Sequence, residues 1–290
     1  MGVNMFHEYK GRQVTIMCCN ECNSQCRHCY ISYEGNFTGE SLYHTACALQ
    51  QNGYVVSLNG TETLMHREYL KTYKLVNQKI AMTNGLVFEN DFDYLDEVRS
   101  FGITRLNISY HFDLQDQISS ISRGYLIDLW EKVIARGIKL QINCTLSKIN
   151  MHKIHQYCDE ALSYGANRIR FTNLINQGKA NNLKKELFLD RSDIDLVIEN
   201  INSARKSFNK ESLCIERCGS FGPCGSMNFH CPAGTGNVFL TPDFKIYPCL
   251  FLTQQSYAIG FYQDGMIYIK DGYSNDGNCC LALNALNKNH

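Results

Sequence analysis

The amino-acid sequence predicts an α/β chain: a partial (β/α)6 barrel of the TIM type over residues 1–190, then a small Cys-rich, β-containing extension over 191–290. Three observations predict it. Six short apolar runs alternate with helical patterns through the first part of the chain, the signature of parallel βαβ units. That rhythm stops after the polar stretch Gln177–Lys185. The 15 cysteines gather at the two ends of the chain. At 290 residues a globular fold buries about three quarters of the surface its unfolded chain exposes, so the core needs no external staple.

The elements follow in order. Val14–Met17 is the first apolar run and leads straight into a group of cysteines. Thr38–Gln51 has helical spacing, and Tyr54–Leu58 reads as a buried strand. A helix near Arg67–Asn77 precedes a strand at Lys79–Met82, which ends at the turn Thr83-Asn84-Gly85. The helix Asp91–Phe101 precedes the strand Arg105–Ser109. Leu126–Arg136 leads through Gly137 to Lys139–Cys144, and Asn150–Tyr164 leads through Gly165 to Arg168–Thr172. Eight strands would close a full barrel, whose chemistry sits at the C-terminal strand ends; six make a partial one. One further helix fits Ser192–Ser207. Beyond Lys210, Gly, Pro and Cys separate short β segments at Asn237–Leu240 and Lys245–Tyr247, leaving no room for more βαβ units.

Composition narrows the class. The chain is 44% hydrophobic and 19% charged, with 28 basic and 28 acidic residues, which excludes an intrinsically disordered chain. The balance gives no electrostatic reason to bind nucleic acid or an anionic membrane. No run approaches a membrane span, and the first ten residues lack the apolar core of a secretory signal. Phe6 stands where a myristoylation signal wants Ser or Thr.

Cys18, Cys19, Cys22, Cys26 and Cys29 crowd the start; Cys214, Cys218, Cys224, Cys231, Cys249, Cys279 and Cys280 crowd the end. Cys47, Cys144 and Cys158, between them, read as small buried apolar residues. Disulfide scaffolds are short and exported, unlike this chain, and an odd count leaves one thiol over. Two terminal groups around a cysteine-poor middle point to two metal sites in a reducing compartment, hence a cytoplasmic protein.

Cys22-Asn-Ser-Gln-Cys26-Arg-His-Cys29-Tyr30 spaces three cysteines as CxxxCxxC directly after the first strand. Three thiolates on a tight loop can hold a [4Fe–4S] cluster, whose usual complement is four, and the missing ligand leaves an iron open to a small molecule. The alternative is structural zinc, which wants four closed ligands; His28 could be offered as the fourth.

This loop resembles that of the radical S-adenosylmethionine (SAM) enzymes, whose hallmark is CxxxCxxC after strand one, ending in an aromatic, here Tyr30. Gly60-Thr61-Glu62-Thr63 stands where that family carries Gly-Gly-Glu-Pro, a stretch whose backbone meets the methionine end of SAM. Thr61 and Thr63 depart from that pattern, but Gly60 still permits close backbone approach. Asn107-Ile-Ser109-Tyr-His111-Phe-Asp113 resembles the ribose-contacting strand end, with Arg123-Gly124 following as in the family. Asn143 and Thr145, and the turn Gln177-Gly178-Lys179-Ala180, match looser positions. Each could also be an ordinary polar residue at a strand end. The resemblance covers residues 12–185. It implies that Cys22, Cys26 and Cys29 bind the cluster and that Tyr30, Gly60, Thr61, Glu62, Ser109, His111, Arg123, Asn143 and Thr145 bind SAM. It also implies an external electron donor of the flavodoxin or ferredoxin type. In the family SAM is split reductively, and the 5′-deoxyadenosyl radical takes a hydrogen atom from substrate.

Cys231-Pro-Ala-Gly…Asp243-Phe-Lys-Ile-Tyr-Pro248-Cys249 frames a β-hairpin between two cysteines and resembles the family's auxiliary-cluster extension, SPASM or twitch. Phe244 stands where the pattern has Gly. Consecutive extended residues point to opposite sides, so Cys279 and Cys280 do not both suit one cluster. Cys231, Cys249, Cys279 and Cys224 form the expected set for an auxiliary [4Fe–4S] cluster, with Cys214 or Cys218 as substitutes for Cys224. Structural zinc on the same thiolates stays open. Surplus thiols, Cys18 and Cys19 among them, are candidate hydrogen-atom donors. The resemblance favours a ribosomally made peptide as substrate, to be cross-linked or epimerised. An amino sugar or cyclitol is the alternative, and a non-enzymatic zinc or redox-sensing protein is the alternative of another class.

Overall fold

The computed structural model describes residues 6–221, 231–275, 277, 280–282 and 285. In chain order its early elements are β1 (Phe6–Glu8), β2 (Gln13–Met17), α1 (Gly39–Gln51), β3 (Val55–Asn59), α2 (Leu70–Leu75) and β4 (Ile80–Thr83). Then come α3 (Tyr94–Ser100), β5 (Arg105–Ser109), α4 (Gln115–Ile118), α5 (Arg123–Ala135), β6 (Lys139–Leu146), α6 (Ile154–Ser163) and β7 (Arg168–Asn173). Last come α7 (Arg191–Ser207), β8 (Cys214–Arg217), β9 (Asn237–Leu240), β10 (Lys245–Tyr247), β11 (Gly260–Gln263) and β12 (Met266–Lys270). Among the described residues no helix is long and apolar enough to cross a membrane.

The chain forms two compact units, Met1–Cys22 with Ile31–Ala81 and His230–His290, and Asn23–Tyr30 with Met82–Phe229. The first holds a seven-stranded sheet of order β1-β12-β11-β10-β9-β2-β3. In it β2 lies parallel to both β3 and β9, while β9 to β12 form an antiparallel meander. Val14, Ile16 and Met17 of β2 are fully buried because both neighbours cover that strand. The helix α1 starts at Thr38, whose side chain accepts from the Ser41 N–H, and it buries Leu42, Ala46 and Leu49. Met17, Tyr33, Phe239 and Tyr247 form one apolar cluster, which ties the end of β2 to the β9–β10 hairpin.

The second unit holds a five-stranded sheet of order β4-β5-β6-β7-β8, with β5 to β8 all parallel. Its crossovers are α5, α6 and α7. Trp130 of α5, 1% exposed, meets Tyr110 edge-on at 4.9 Å, and α7 begins with a capping box between Asp190 and Asp193. These are the α/β elements of a partial TIM-type barrel.

All six barrel strands expected from the sequence are present, as are the β segments at Asn237–Leu240 and Lys245–Tyr247. The strands β1, β8, β11 and β12 were not expected; of these β8, reached through α7, lies parallel to β7 and pairs Arg168 with Cys214. Cys214-Ile-Glu-Arg217 has one aliphatic residue in four and so carries little strand signal by itself. The units also divide the chain elsewhere than at residue 190. The reason is the β2–β9 ladder, which pairs Gln13 with Asn237 and makes the C-terminal strands part of the N-terminal sheet.

Candidate active site

The segment Asn23–Tyr30, with two of the three loop cysteines, packs in the second unit. Asn84 Nδ2 donates to Asn23 Oδ1 at 2.9 Å, and the hydroxyls of Ser24 and Ser120 lie 3.0 Å apart. The Arg27 N–H donates to the Ile118 carbonyl at 3.0 Å, and the Lys179 N–H to the Cys29 carbonyl at 2.8 Å. Asn84 follows β4, Ile118 and Ser120 follow β5, and Lys179 follows β7. The segment is therefore seated over the C-terminal strand ends, where α/β barrels place their chemistry. Cys26 Sγ lies 3.1 Å from the Ser24 hydroxyl.

His28 is not turned to the cysteines. Its Nδ1–H donates to the Ile118 carbonyl at 3.1 Å, and its ring meets His111 edge-on at 4.4 Å. His111 accepts the Thr145 N–H on Nδ1 at 3.2 Å, so in the neutral ring the proton sits on Nε2. Burial lowers both imidazole pKa values, and His28 lowers that of His111 further. His111 is aimed by the turn after it. Phe112 holds φ at 49°, a left-handed conformation costly for a bulky residue, and its ring stacks on Tyr157 at 4.1 Å. The His111 N–H donates to Gln115 Oε1 at 2.9 Å.

Ser109, Asn143 and Thr145 sit at the same strand ends, Ser109 beside Asn143 in the ladder, and all are partly exposed. Arg123 is engaged elsewhere. Its guanidinium donates to Glu160 at 2.5 Å and to the Tyr164 hydroxyl at 3.2 Å, and both partners lie on or just after α6.

In the first unit the corner after β3 packs against the end of β2. The Thr61 N–H donates to the Cys19 carbonyl at 3.0 Å, and the Gly60 N–H to Asn59 Oδ1 at 2.8 Å. A Cβ on Gly60 would lie 2.8 Å from Thr63 Cγ2 and 3.2 Å from Cys19 Sγ, so only glycine fits. Glu62 is fully buried, and Thr61 Oγ1 is buried without a hydrogen-bond partner among the described residues. Cys18 and Cys19 are fully buried, and burial pushes the Cys19 thiol up to about 11. Cys22 and Tyr30 are both partly exposed.

Of the expected auxiliary ligands, Cys224 and Cys279 lie outside the described residues. Cys231, Cys249 and Cys280 are all in the first unit, whereas Cys214 and Cys218 are in and just after β8 of the second. Tyr273 stands near Cys231 and Cys249. Burial, then the two sulfurs, push its phenol up to about 12. The Cys231 N–H donates to the Gly277 carbonyl at 2.9 Å, and Asn275 Nδ2 to the Cys231 carbonyl at 3.0 Å. The hairpin turns at Phe244, whose φ of 58° is what the usual Gly would supply freely. Asp243 Oδ1 accepts from the Thr241 hydroxyl at 2.6 Å and braces that turn.

The residues of each unit suit the implied groups. In the second, thiols on one short loop whose one histidine is engaged by Ile118 suit a [4Fe–4S] cluster. In the first, an unpartnered hydroxyl, Thr61 Oγ1, at a corner with no room for a Cβ suits a closely approached ligand such as SAM. Among the described residues no three His, Cys, Asp or Glu side chains converge as the ligands of one metal ion do.

Sequence reading missed Arg105, Arg168, Arg170 and Glu216, which share one face of the second sheet. The signal was present. Buried parallel strands normally read as continuous apolar runs, yet Arg168-Ile-Arg-Phe-Thr alternates.

The parallel α/β fold and the CxxxCxxC loop beside its strand ends define a class of partial-barrel α/β proteins, and in both features the chain resembles the radical SAM enzymes. No family model matches it. The GTP 3′,8-cyclase of Clostridium botulinum strain Hall is 26% identical over 271 residues, covering 84% of this chain and 82% of the relative. Streptococcus suis SuiB bound to S-adenosylmethionine shares the fold, with a TM-score of 0.68 at 16% identity over 86% of this chain and 62% of SuiB. The chain thus spans about three fifths of SuiB's length. anSMEcpe with bound AdoMet has a TM-score of 0.63 at 16% identity, over 88% of this chain and 78% of that one.

Proposed function

We propose that this protein is a radical SAM enzyme that splits SAM reductively and removes a hydrogen atom from its substrate. The observation that carries the reading is the seating of Asn23–Tyr30 over the strand ends of the parallel sheet, with His28 held by Ile118 instead of serving as a fourth ligand. Cys22, Cys26 and Cys29 would hold the cluster, and an external donor of the flavodoxin or ferredoxin type would reduce it. When bound, the cluster would supply the one electron that splits SAM into methionine and a 5′-deoxyadenosyl radical, and that radical would leave as 5′-deoxyadenosine once it had taken the substrate hydrogen.

The chain's own residues bind and orient. Gly60, Thr61 and Glu62 present backbone and a bare hydroxyl to the methionine end. Ser109, His111, Asn143 and Thr145 line the strand ends for the nucleoside, with His111 offering the proton on Nε2. Tyr30, which follows the last loop cysteine, would also contact SAM. Cys231 and Cys249, grouped about Tyr273, are the described part of an auxiliary cluster site, to which Cys279 and Cys224 would contribute.

Two substrate readings have an observation behind them. Likeness to SuiB with its precursor peptide, and to anSMEcpe with a bound peptide, supports a peptide. The GTP 3′,8-cyclase relative supports a nucleotide. The reaction is tested by reconstituting the full chain without oxygen and measuring 5′-deoxyadenosine from SAM and reductant. Cys26→Ala should abolish it. A folded wild-type protein that binds two zinc ions and leaves SAM intact refutes the reading.

A further inference from the structure

The strand registers of the second sheet lay side chains in rows. Asn107 lies beside Gln141, Gln141 beside Arg168, and Arg168 beside Cys214. One rung towards the strand C-termini lie Ser109, Asn143, Arg170 and Glu216, and above them Thr145 and Thr172. Arg105 precedes Asn107 on the same face of β5. The opposite face carries the buried Leu106, Ile108, Leu140, Ile142, Ile169 and Phe171, and there Tyr110 meets Trp130 of α5. Barrels of this type fill the face turned from the helices with Val, Ile and Leu. Here that face is polar from β5 to β8, Cys214 excepted.

Its charges do not balance. Arg168 forms an ion pair with Glu216. Arg105 stands beside that pair, its pKa lowered by burial and by Arg168, and its buried Nε has no partner among the described residues. Arg170 makes no hydrogen bond or ion pair among the described residues. Asn107 is 7% exposed, and its Oδ1 also lacks a partner there. Three guanidiniums thus share one carboxylate. Guanidinium does not escape by losing its proton, and a charge without a counter-ion at a partly buried site carries a cost. Its planar fork of donors matches an oxyanion.

We propose that this face binds an oxyanion of the substrate, and that the substrate is a small phosphorylated molecule gripped by Arg105 and Arg170 while Glu216 fixes Arg168. Two positive charges stand uncompensated, and a phosphate monoester carries about −1.5 to −2 at neutral pH, a closer match than one carboxylate. The inference rests on the radical SAM reading for calling the ligand a substrate.

The test is calorimetric binding of inorganic pyrophosphate to the full chain. Binding by wild type, weakened about tenfold or more (about 1.4 kcal/mol) in both Arg105→Gln and Arg170→Gln, with Arg136→Gln on the outer surface unchanged, is the expected result. Arg170→Lys keeps the charge but loses the fork and is read in place of Arg170→Gln if the latter melts early. No binding by wild type overturns the proposal, as does equal loss in Arg136→Gln. So does an equal fall in SAM affinity, which would give these arginines to the cofactor. Displacement by an Asp-rich peptide but not by GTP overturns the phosphorylated small molecule in favour of a peptide. SAM cleavage without pyrophosphate binding removes the oxyanion site alone, whereas pyrophosphate binding without SAM cleavage removes the radical SAM reading and leaves the site.

Discussion

Substituting Gly60 by Ala probes the proposed cofactor corner through a single atom. The new Cβ would lie 2.8 Å from Thr63 Cγ2, 3.2 Å from Cys19 Sγ and 3.3 Å from Cys19 N. Thr63 has nowhere to retreat, being 1% exposed with its Oγ1 2.9 Å from the Tyr73 hydroxyl. The corner must shift instead, at the ~1–3 kcal/mol typical of overpacking. If that cost falls on the SAM-bound geometry, SAM affinity drops by about 5- to 150-fold. The assay is equilibrium SAM binding to anaerobically reconstituted protein, with melting midpoints read alongside. Thr63→Ser deletes the obstructing methyl and keeps the hydroxyl for Tyr73, so Gly60→Ala combined with Thr63→Ser should recover most of the loss. Affinity within about twofold of wild type in the single variant would refute the reasoning, as would a double variant as weak as the single.

Three further outcomes are expected. Cys249→Ala should keep uncoupled 5′-deoxyadenosine formation that Cys26→Ala lacks; equal loss in two folded variants denies the division between the clusters. The His111 pKa is held below its ordinary 6.5, so the unfolded chain takes up that proton first, and stability should fall as pH drops below about 6.5. The slope from this ring is at most about 1.4 kcal/mol per pH unit. Denaturant midpoints of wild type and His111→Asn between about pH 5 and 7 should diverge, and parallel slopes contradict the burial argument. At Phe244, with φ of 58° and ring contacts to Phe37 and Tyr262, Ala loses the rings and keeps the strain, whereas Gly loses the rings and sheds it. Thermal melts should rank Phe244→Gly above Phe244→Ala by about 1 kcal/mol; the reverse order would show the turn to be unstrained.

Much of the barrel was legible because βαβ units write themselves locally. Gly137 and Gly165, both at positive φ, mark where α5 and α6 stop, and the next strand begins within a few residues. The loop cysteines stand out for the same reason, as three thiols within eight residues. What failed was non-local. Nothing in Asn237–Leu240 announces that it will lie parallel to Gln13–Ile16, since pairing partners far apart in sequence leave no mark on either. Nor does Arg123, beside Gly124, show in the sequence that Glu160 on another helix is its ion-pair partner. The arginine face is hard to see in the sequence because a strand's signal lies in its apolar members, and the alternate residues carry none of it.

The β2–β9 ladder has a consequence for how the protein is made. The strand that enters the cysteine loop is flanked by β3 on one side, available early, and by β9 on the other, available only after the whole intervening α/β segment has been made. Contacts this distant in sequence close slowly, and until they close β2 offers an unpaired border to any passing chain. Iron insertion into a nascent polypeptide would therefore meet a half-built anchor. Shortened forms ending before Asn237 should clump when expressed, however intact their barrel segment.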